Sequence, residues 1–334
     1  MRYIHELTDE INVTAQSLGG CPVCLNRQNR VHILALGDVG TTMLIGLRLL
    51  GSDVISEIGI CDIRQDNTAR LEMEINQIGY PFTAWEDSPG PDLPPVRVVT
   101  EDELFDCDMM IFCASKGVPP VEDHRNETPA DVRMVQLEAN REIIRHYADL
   151  AKKAGYSGLV CIVSDPVDNL AAAFYDSSGL KPWQMQGYGL GVMNMRAAYY
   201  AEKMGGESAL YEKEGRAFGP HGENLVIANS LEHYDDELSR ELTKLTVQAN
   251  LCVRELGFKP YIAPALSSAA ISILLTLRGQ WHYGSIYLGD CKKGAFLGIR
   301  NRLTQAGWEY EDAPLPDALY ERVKHAYLNL CQVR

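Results

Sequence analysis

The stretch from Arg30 to Asp62 constrains the fold more than any other part of the chain. Val31 to Leu36 is a short apolar run. Gly37-Asp38-Val39-Gly40 is a turn, and Thr41 to Leu50 is apolar on all sides. Ile55 to Ile60 is a second apolar run, and Asp62 follows it. Apolar runs bounded by turn residues read as buried strands, and a segment apolar all round reads as a helix packed on a sheet. Strand, glycine turn, helix, strand and acid is the order of a dinucleotide-binding βαβ unit. Gly37 lets the chain turn tightly, and Gly40 lets the helix pack close. The helix N-terminus offers free N–H groups and partial positive charge to a pyrophosphate. Asp62 stands where a carboxylate accepts hydrogen bonds from the ribose hydroxyls of adenosine, and it would repel a 2′-phosphate, favouring NAD over NADP. The expected cofactor-binding residues are therefore Gly37, Asp38, Val39, Gly40 and Asp62. The fingerprint lacks its first glycine, because position 35 is Ala35. The alternative is a purely structural βαβ turn whose small residues serve packing.

The rest of the chain carries the pattern onward. Asn67 to Ile78 fits a helix, and the proline-rich Pro81 to Pro95 a loop. Val96 to Val99 and Met109 to Cys113 read as strands, Val132 to Ala154 as a long helix, and Gly158 to Ser164 as a fifth strand before Asp165-Pro166-Val167-Asp168. Alternation of this kind predicts a doubly wound parallel sheet, α/β in class. The stretch 114–131 follows a strand C-terminus, where open α/β sheets place ligands. It is either a lid or a solvated insertion.

The second half changes texture. Gly187, Gly189 and Gly191 precede a helix from Met193 to Met204, and Gly219-Pro220-His221-Gly222-Glu223-Asn224 is a glycine-flanked turn. Helices are expected over Asp235 to Leu256, Ala263 to Leu277 and Leu315 to Leu330. A strand pair is expected over Trp281 to Leu288 and Ala295 to Ile299. The expected organisation is an N-terminal arm (1–30), packing on the chain's own surface or on a neighbouring subunit, a dinucleotide-binding domain (31–180) and an α+β domain (181–334) joined without a flexible linker.

A net charge of −14 argues against binding nucleic acid or an anionic membrane through a general basic surface. No run approaches the roughly 20 apolar residues that span a bilayer. The charged start, MRYIHELTDEINVTAQ, has no apolar signal core, so a cytoplasmic location is expected. Nine cysteines are scattered, as reduced buried thiols are. Cys21 and Cys24 form a CxxC with no second pair at zinc-site spacing, so no metal is expected; they are a redox-sensitive pair or two unrelated thiols.

The AxGxxG turn with Asp62, the helix VRMVQLEANREII, the strand and turn IVSDPVD, and GPHGEN together resemble the L-lactate/malate dehydrogenase family, from about Val31 to the C-terminus. The resemblance implies a Rossmann NAD domain followed by an α+β substrate domain, reversible hydride transfer to a small 2-oxo acid, and a homodimer or homotetramer. It makes His221 the acid/base, in keeping with the one side chain that titrates unperturbed near neutral pH. Arg133 would polarise the reacting oxygen. It lies seven residues before Asn140, on the same helix face. Asn140 would face substrate and cofactor, and Arg196 would bind the substrate carboxylate in two parallel hydrogen bonds. The position that discriminates substrates lies between Gly117 and Asn126, with Arg125 a candidate second cation and Asn126 a candidate contact.

Two departures from the family pattern fall beside one imidazole. Asp165 stands where the family has asparagine, and Asn194 where it has the aspartate that partners the histidine. Either Asp165 supplies the charge and Asn194 the amide, or both changes are losses in an inactive NAD-binding paralogue acting as sensor or scaffold. Asp168 reads as a structural residue at a helix start.

Overall fold

The computed structural model describes residues 1–80, 90–116, 129–222 and 224–333; for 129–136 the backbone alone is described. Ten segments build the first half: β1 (Asn29–Leu34), α1 (Asp38–Leu50), β2 (Ile55–Cys61), α2 (Gln65–Asn76), β3 (Val96–Val98), β4 (Met109–Phe112), α3 (Pro129–Lys153), β5 (Leu159–Ile162), α4 (Val167–Ser178) and β6 (Met185–Gly187). The six strands are parallel in the order β3-β2-β1-β4-β5-β6. That order reverses between β1 and β4, which opens a crevice at the strand C-termini. Strands β4 and β5 are buried at every position, as strands covered by helices on both faces must be.

The second half continues the same sheet. It holds α5 (Leu190–Met204), α6 (Tyr211–Glu214), β7 (Arg216–Phe218), β8 (Val226–Ala228), α7 (Asp236–Glu255), α8 (Ser272–Leu277), β9 (His282–Gly289), β10 (Gly294–Thr304), β11 (Gly307–Tyr310) and α9 (Asp317–Val333). β9, β10 and β11 are antiparallel to one another, and β9 joins β6 at Gly187 and Ser285. One nine-stranded sheet results, with β7 and β8 as a separate pair. The expected apolar helix over Ala263 to Leu277 divides into a π-helical stretch, Pro264–Ile271, and α8. There the Ser272 hydroxyl donates to the Ser267 carbonyl five residues back at 2.7 Å, satisfying a group the wider turn leaves over.

The arm packs on its own chain. Ile4 and Leu7, on a 3₁₀ helix over Ile4–Ile11, are buried. Further along, the amide of Trp308 donates to Leu18, so the arm covers the β11 edge.

Candidate active site

The glycine turn forms where β1 ends. Ala35 adopts φ +72°, the left-handed conformation that the missing glycine would supply. This ends the strand at Leu34, two residues short of the expected Leu36, and starts α1 at Asp38. A Cβ on Gly40 would lie 2.1 Å from the Ala35 carbonyl, so only glycine allows the helix this close. Gly37 has an ordinary φ of −73°, and a Cβ there would meet no protein atom within 4 Å. The first-turn N–H groups at Asp38, Val39 and Gly40 have no intrahelical acceptor. The Asp38 carboxylate turns aside to Lys259 Nζ at 2.9 Å. Asp62 sits at the tip of β2 and accepts from the backbone N–H of Leu36 at 2.6 Å and of Arg64 at 2.9 Å. It therefore fixes the turn as well as facing the crevice edge.

His221 lies in the turn between β7 and β8. That turn is anchored where the Gly219 N–H donates to the Gly298 carbonyl of β10 at 2.9 Å. Gly189, before α5, comes so near that a Cβ on it would lie 2.9 Å from His221 Cβ. The Nδ1 of His221 is 2.9 Å from Asp165 Oδ1, and Nε2 has no hydrogen-bond partner among the described residues. The ring is mostly covered, whereas the Asp165 side chain is 59% exposed. His221 and Asp165 line two cavities. One, of about 210 Å³, runs past Cys113, Gly189 and Ser268 to Val39 in the glycine turn. The other, of about 320 Å³, opens toward Arg196 and α9.

Arg196 lines the second cavity from α5. Its guanidinium donates to the Asn250 carbonyl oxygen and toward the Met193 sulfur, and no carboxylate lies within ion-pair distance among the described residues. Burial pulls its pKa down, and the charge of Asp165 partly offsets that. A half-buried cation at a cavity wall, with no counter-ion among the described residues, can take an anion.

Asn140 is buried, and both ends of its amide meet backbone. It accepts from the Lys116 N–H at 3.0 Å and donates to the Asp165 carbonyl at 3.3 Å. In this arrangement it ties the segment after β4 to the segment after β5 and fixes Asp165. Asn194 departs from expectation. Its carbonyl oxygen accepts from the Tyr211 hydroxyl at 2.9 Å, and it lines neither cavity. The physical reason is that Nδ1 carries one hydrogen, and Asp165 takes it. Arg133 lies on α3, where its side chain is outside the described residues; Arg125 and Asn126 lie outside them altogether.

Three residues at the site had no such role in the sequence reading. Asp168 lines the cavity and accepts from the Ser285 hydroxyl. Burial pushes its carboxyl up to about 6, against the pull of Ser285 and His221. Its place in the DPVD turn was the available signal. Asn250, on α7, and Lys259 had none, because each reaches the site from a distant element. Among the described residues, the one cluster with metal-ligating geometry is Glu214, Glu232 and His233, away from these cavities.

No family model matches the chain. The chain is 25% identical over 205 residues to an L-lactate dehydrogenase of Mesomycoplasma hyopneumoniae, 60% of this chain and 58% of that protein. It is 22% identical over 199 residues to an L-lactate dehydrogenase of Bacillus pumilus, 58% of this chain and 56% of that protein. Across 92% of its length it superposes on a lactate dehydrogenase from a Medee basin deep-sea metagenome library, with a TM-score of 0.72, 19% identity and 98% of that chain covered. In sequence the chain is thus similar to L-lactate dehydrogenases, and in fold to lactate and malate dehydrogenases. A malate dehydrogenase from Picrophilus torridus matches its fold similarly, with a TM-score of 0.71 at 17% identity, over 92% of this chain and 96% of that one. The sequence match to the Mesomycoplasma relative spans 58% of that protein's length, while the fold is shared nearly throughout.

Proposed function

We propose that the protein is an NAD-dependent L-2-hydroxyacid dehydrogenase, interconverting a small 2-hydroxy acid and its 2-oxo acid. The observation that carries this reading is that two cavities meet at one imidazole, one leading to the glycine turn and the other to an unpaired arginine. The glycine turn fits the dinucleotide. Among the described residues nothing demands glycine at position 37, which suits a site that a phosphate approaches closely. The free N–H groups of α1 would hold the pyrophosphate and Asp62 the adenosine ribose, with Lys259 keeping the Asp38 charge neutralised. When bound, NAD(H) supplies or accepts the hydride.

The chain's own residues do the rest. Asp165 fixes the tautomer with the proton on Nδ1, which leaves Nε2 to give a proton to the substrate oxygen or take it back. The negative charge beside the ring stabilises the imidazolium. Arg196 binds the carboxylate, and Arg133 is assigned to the reacting oxygen. The family's oligomers, the exposed apolar side chains of Met195, Tyr199, Leu256 and Phe258, and the lack of any membrane-length apolar helix among the described residues support a cytoplasmic homodimer or homotetramer.

The test follows loss of NADH absorbance with a panel of 2-oxo acids. His221→Asn is expected to lower kcat by about 10²–10⁴-fold while NADH still binds. Full activity in that variant would refute the role of His221. Tight NADH binding with no turnover of any 2-oxo acid would establish the inactive paralogue instead.

A further inference from the structure

The cavity beyond His221 has two unlike ends. Its polar end holds His221, Asp165 and Arg196, the groups that a carboxylate and an adjacent oxo group need. Its far walls come from three helices, mostly apolar: Leu137 of α3, Val247 of α7, and Ala326, Leu330 and Val333 of α9, with the amides of Asn250 on α7 and Asn329 on α9 among them. At about 320 Å³ the space exceeds what a three-carbon acid requires, since pockets of roughly 300–1,000 Å³ bury whole drug-sized ligands. Pyruvate offers those walls a single methyl group and would leave them wet. The charge of the described lining disfavours the other short substrate class. Among the described residues, Arg196 is the sole lysine or arginine lining the cavity, whereas Asp165 and Asp168 both line it. Among these residues a second carboxylate on the substrate would meet acids and no second cation.

We propose that the site is built for a 2-oxo monocarboxylic acid with an uncharged apolar side chain of several carbons, seated against α7 and α9, in preference to a three-carbon or dicarboxylic acid. This rests on the dehydrogenase reading above. Each methylene moved from water into such a wall contributes roughly fourfold, so an acid with three more carbons than pyruvate gains at least about tenfold even with imperfect packing. Ala326 is the small residue on the α9 wall, and enlarging it narrows the seat.

Two measurements test the proposal. In steady-state assays with NADH, kcat/KM for 2-oxohexanoate is expected to exceed that for pyruvate and for oxaloacetate by about tenfold or more. In Ala326→Leu that ratio should fall toward unity. Independently of turnover, the protein saturated with NADH should bind N-butyl oxamate about tenfold more tightly than oxamate, read by competition or thermal shift. If pyruvate or oxaloacetate is preferred, or oxamate binds at least as tightly as its N-butyl derivative, the proposal is wrong. If no 2-oxo acid is reduced but the N-butyl compound still binds more tightly, the dehydrogenase reading fails while the shape of the site stands.

Discussion

The 2.9 Å contact between the Asp165 carboxylate and Nδ1 of His221 stands where the resemblance to lactate and malate dehydrogenases implies an asparagine. Replacing that carboxylate by an amide allows the wrong tautomer and removes the charge that stabilises the imidazolium. Asp165→Asn is therefore expected to lower kcat by roughly 10²–10⁴-fold, with the smaller value favoured because the carboxylate is half in water. Adding Asn194→Asp should not restore the rate, because position 194 faces the Tyr211 hydroxyl. Recovery to within about tenfold of the parent would show that residue 194 reaches the imidazole after all. Ala35 is the second departure. A non-glycine residue at φ +72° bears about 1–2 kcal/mol of conformational cost, and glycine's extra unfolded-state freedom returns part of that. Ala35→Gly is expected to raise stability by about 0.5–1 kcal/mol in urea titrations; a loss of stability would refute the strain. Asp165 and His221, which the structure brings together, were legible because they stand in short motifs, DPVD and GPHGEN. Contacts with distant elements were not. The Tyr211, Ser285 and Asn250 contacts join positions 17, 117 and 54 residues apart, and no local pattern encodes such pairings.

The elements divide the same way. β1, β2, β4 and β5 were evident as apolar runs, since strands buried on both faces leave a continuous signal. β6, β7 and β8 have three residues each, too few to show a period, and the turn and helix signals around them dominate. β9 brings two buried titrations of opposite sign together. His282, on β9, lies between the Gln280 carbonyl at Nδ1 and the Gln186 amide at Nε2, and burial pushes its pKa down to about 4. Between about pH 6.5 and 4 the unfolded chain takes up a proton that folded His282 does not, so stability falls as pH drops. Asp168 is held by Ser285, also on β9, and its carboxyl is pushed up to about 6. Between about pH 6 and 4 the folded chain holds a proton that the unfolded chain does not, so this group gains stability as pH drops. Each effect is on the order of 3 kcal/mol, and they largely offset. Asp168→Asn should make acid destabilisation steeper, and His282→Gln should make it shallower, in urea midpoints measured across that window. Parallel slopes in all three proteins would show that neither group titrates as its burial implies.

At the scale of the molecule, a boundary at residue 180 falls inside one sheet rather than at a linker: β5 before it pairs with β6 after it, from Val160 and Met185 to Ile162 and Gly187. A single hydrophobic core runs from Val31 and Ile58 on one side to Leu274, Leu288 and Tyr320 on the other. Arg278 of the second half pairs with Asp53, and Lys259 with Asp38, both in the first. The arm adds a further tie, the Gln16 N–H donating to the Gly289 carbonyl at the end of β9. Two regions that share a core lose each other's buried surface when either opens, so independent unfolding is costly. Three of the four tryptophans, Trp183, Trp281 and Trp308, lie beyond residue 180 and weight the emission toward the second half, with Trp85 alone in the first, whereas far-UV circular dichroism reports on the helices of both. The two signals are expected to give one coincident transition in guanidinium. Separated midpoints, or a plateau in which tryptophan emission has shifted while helical signal remains, would show that the Rossmann half stands alone and that the shared core couples the halves only weakly.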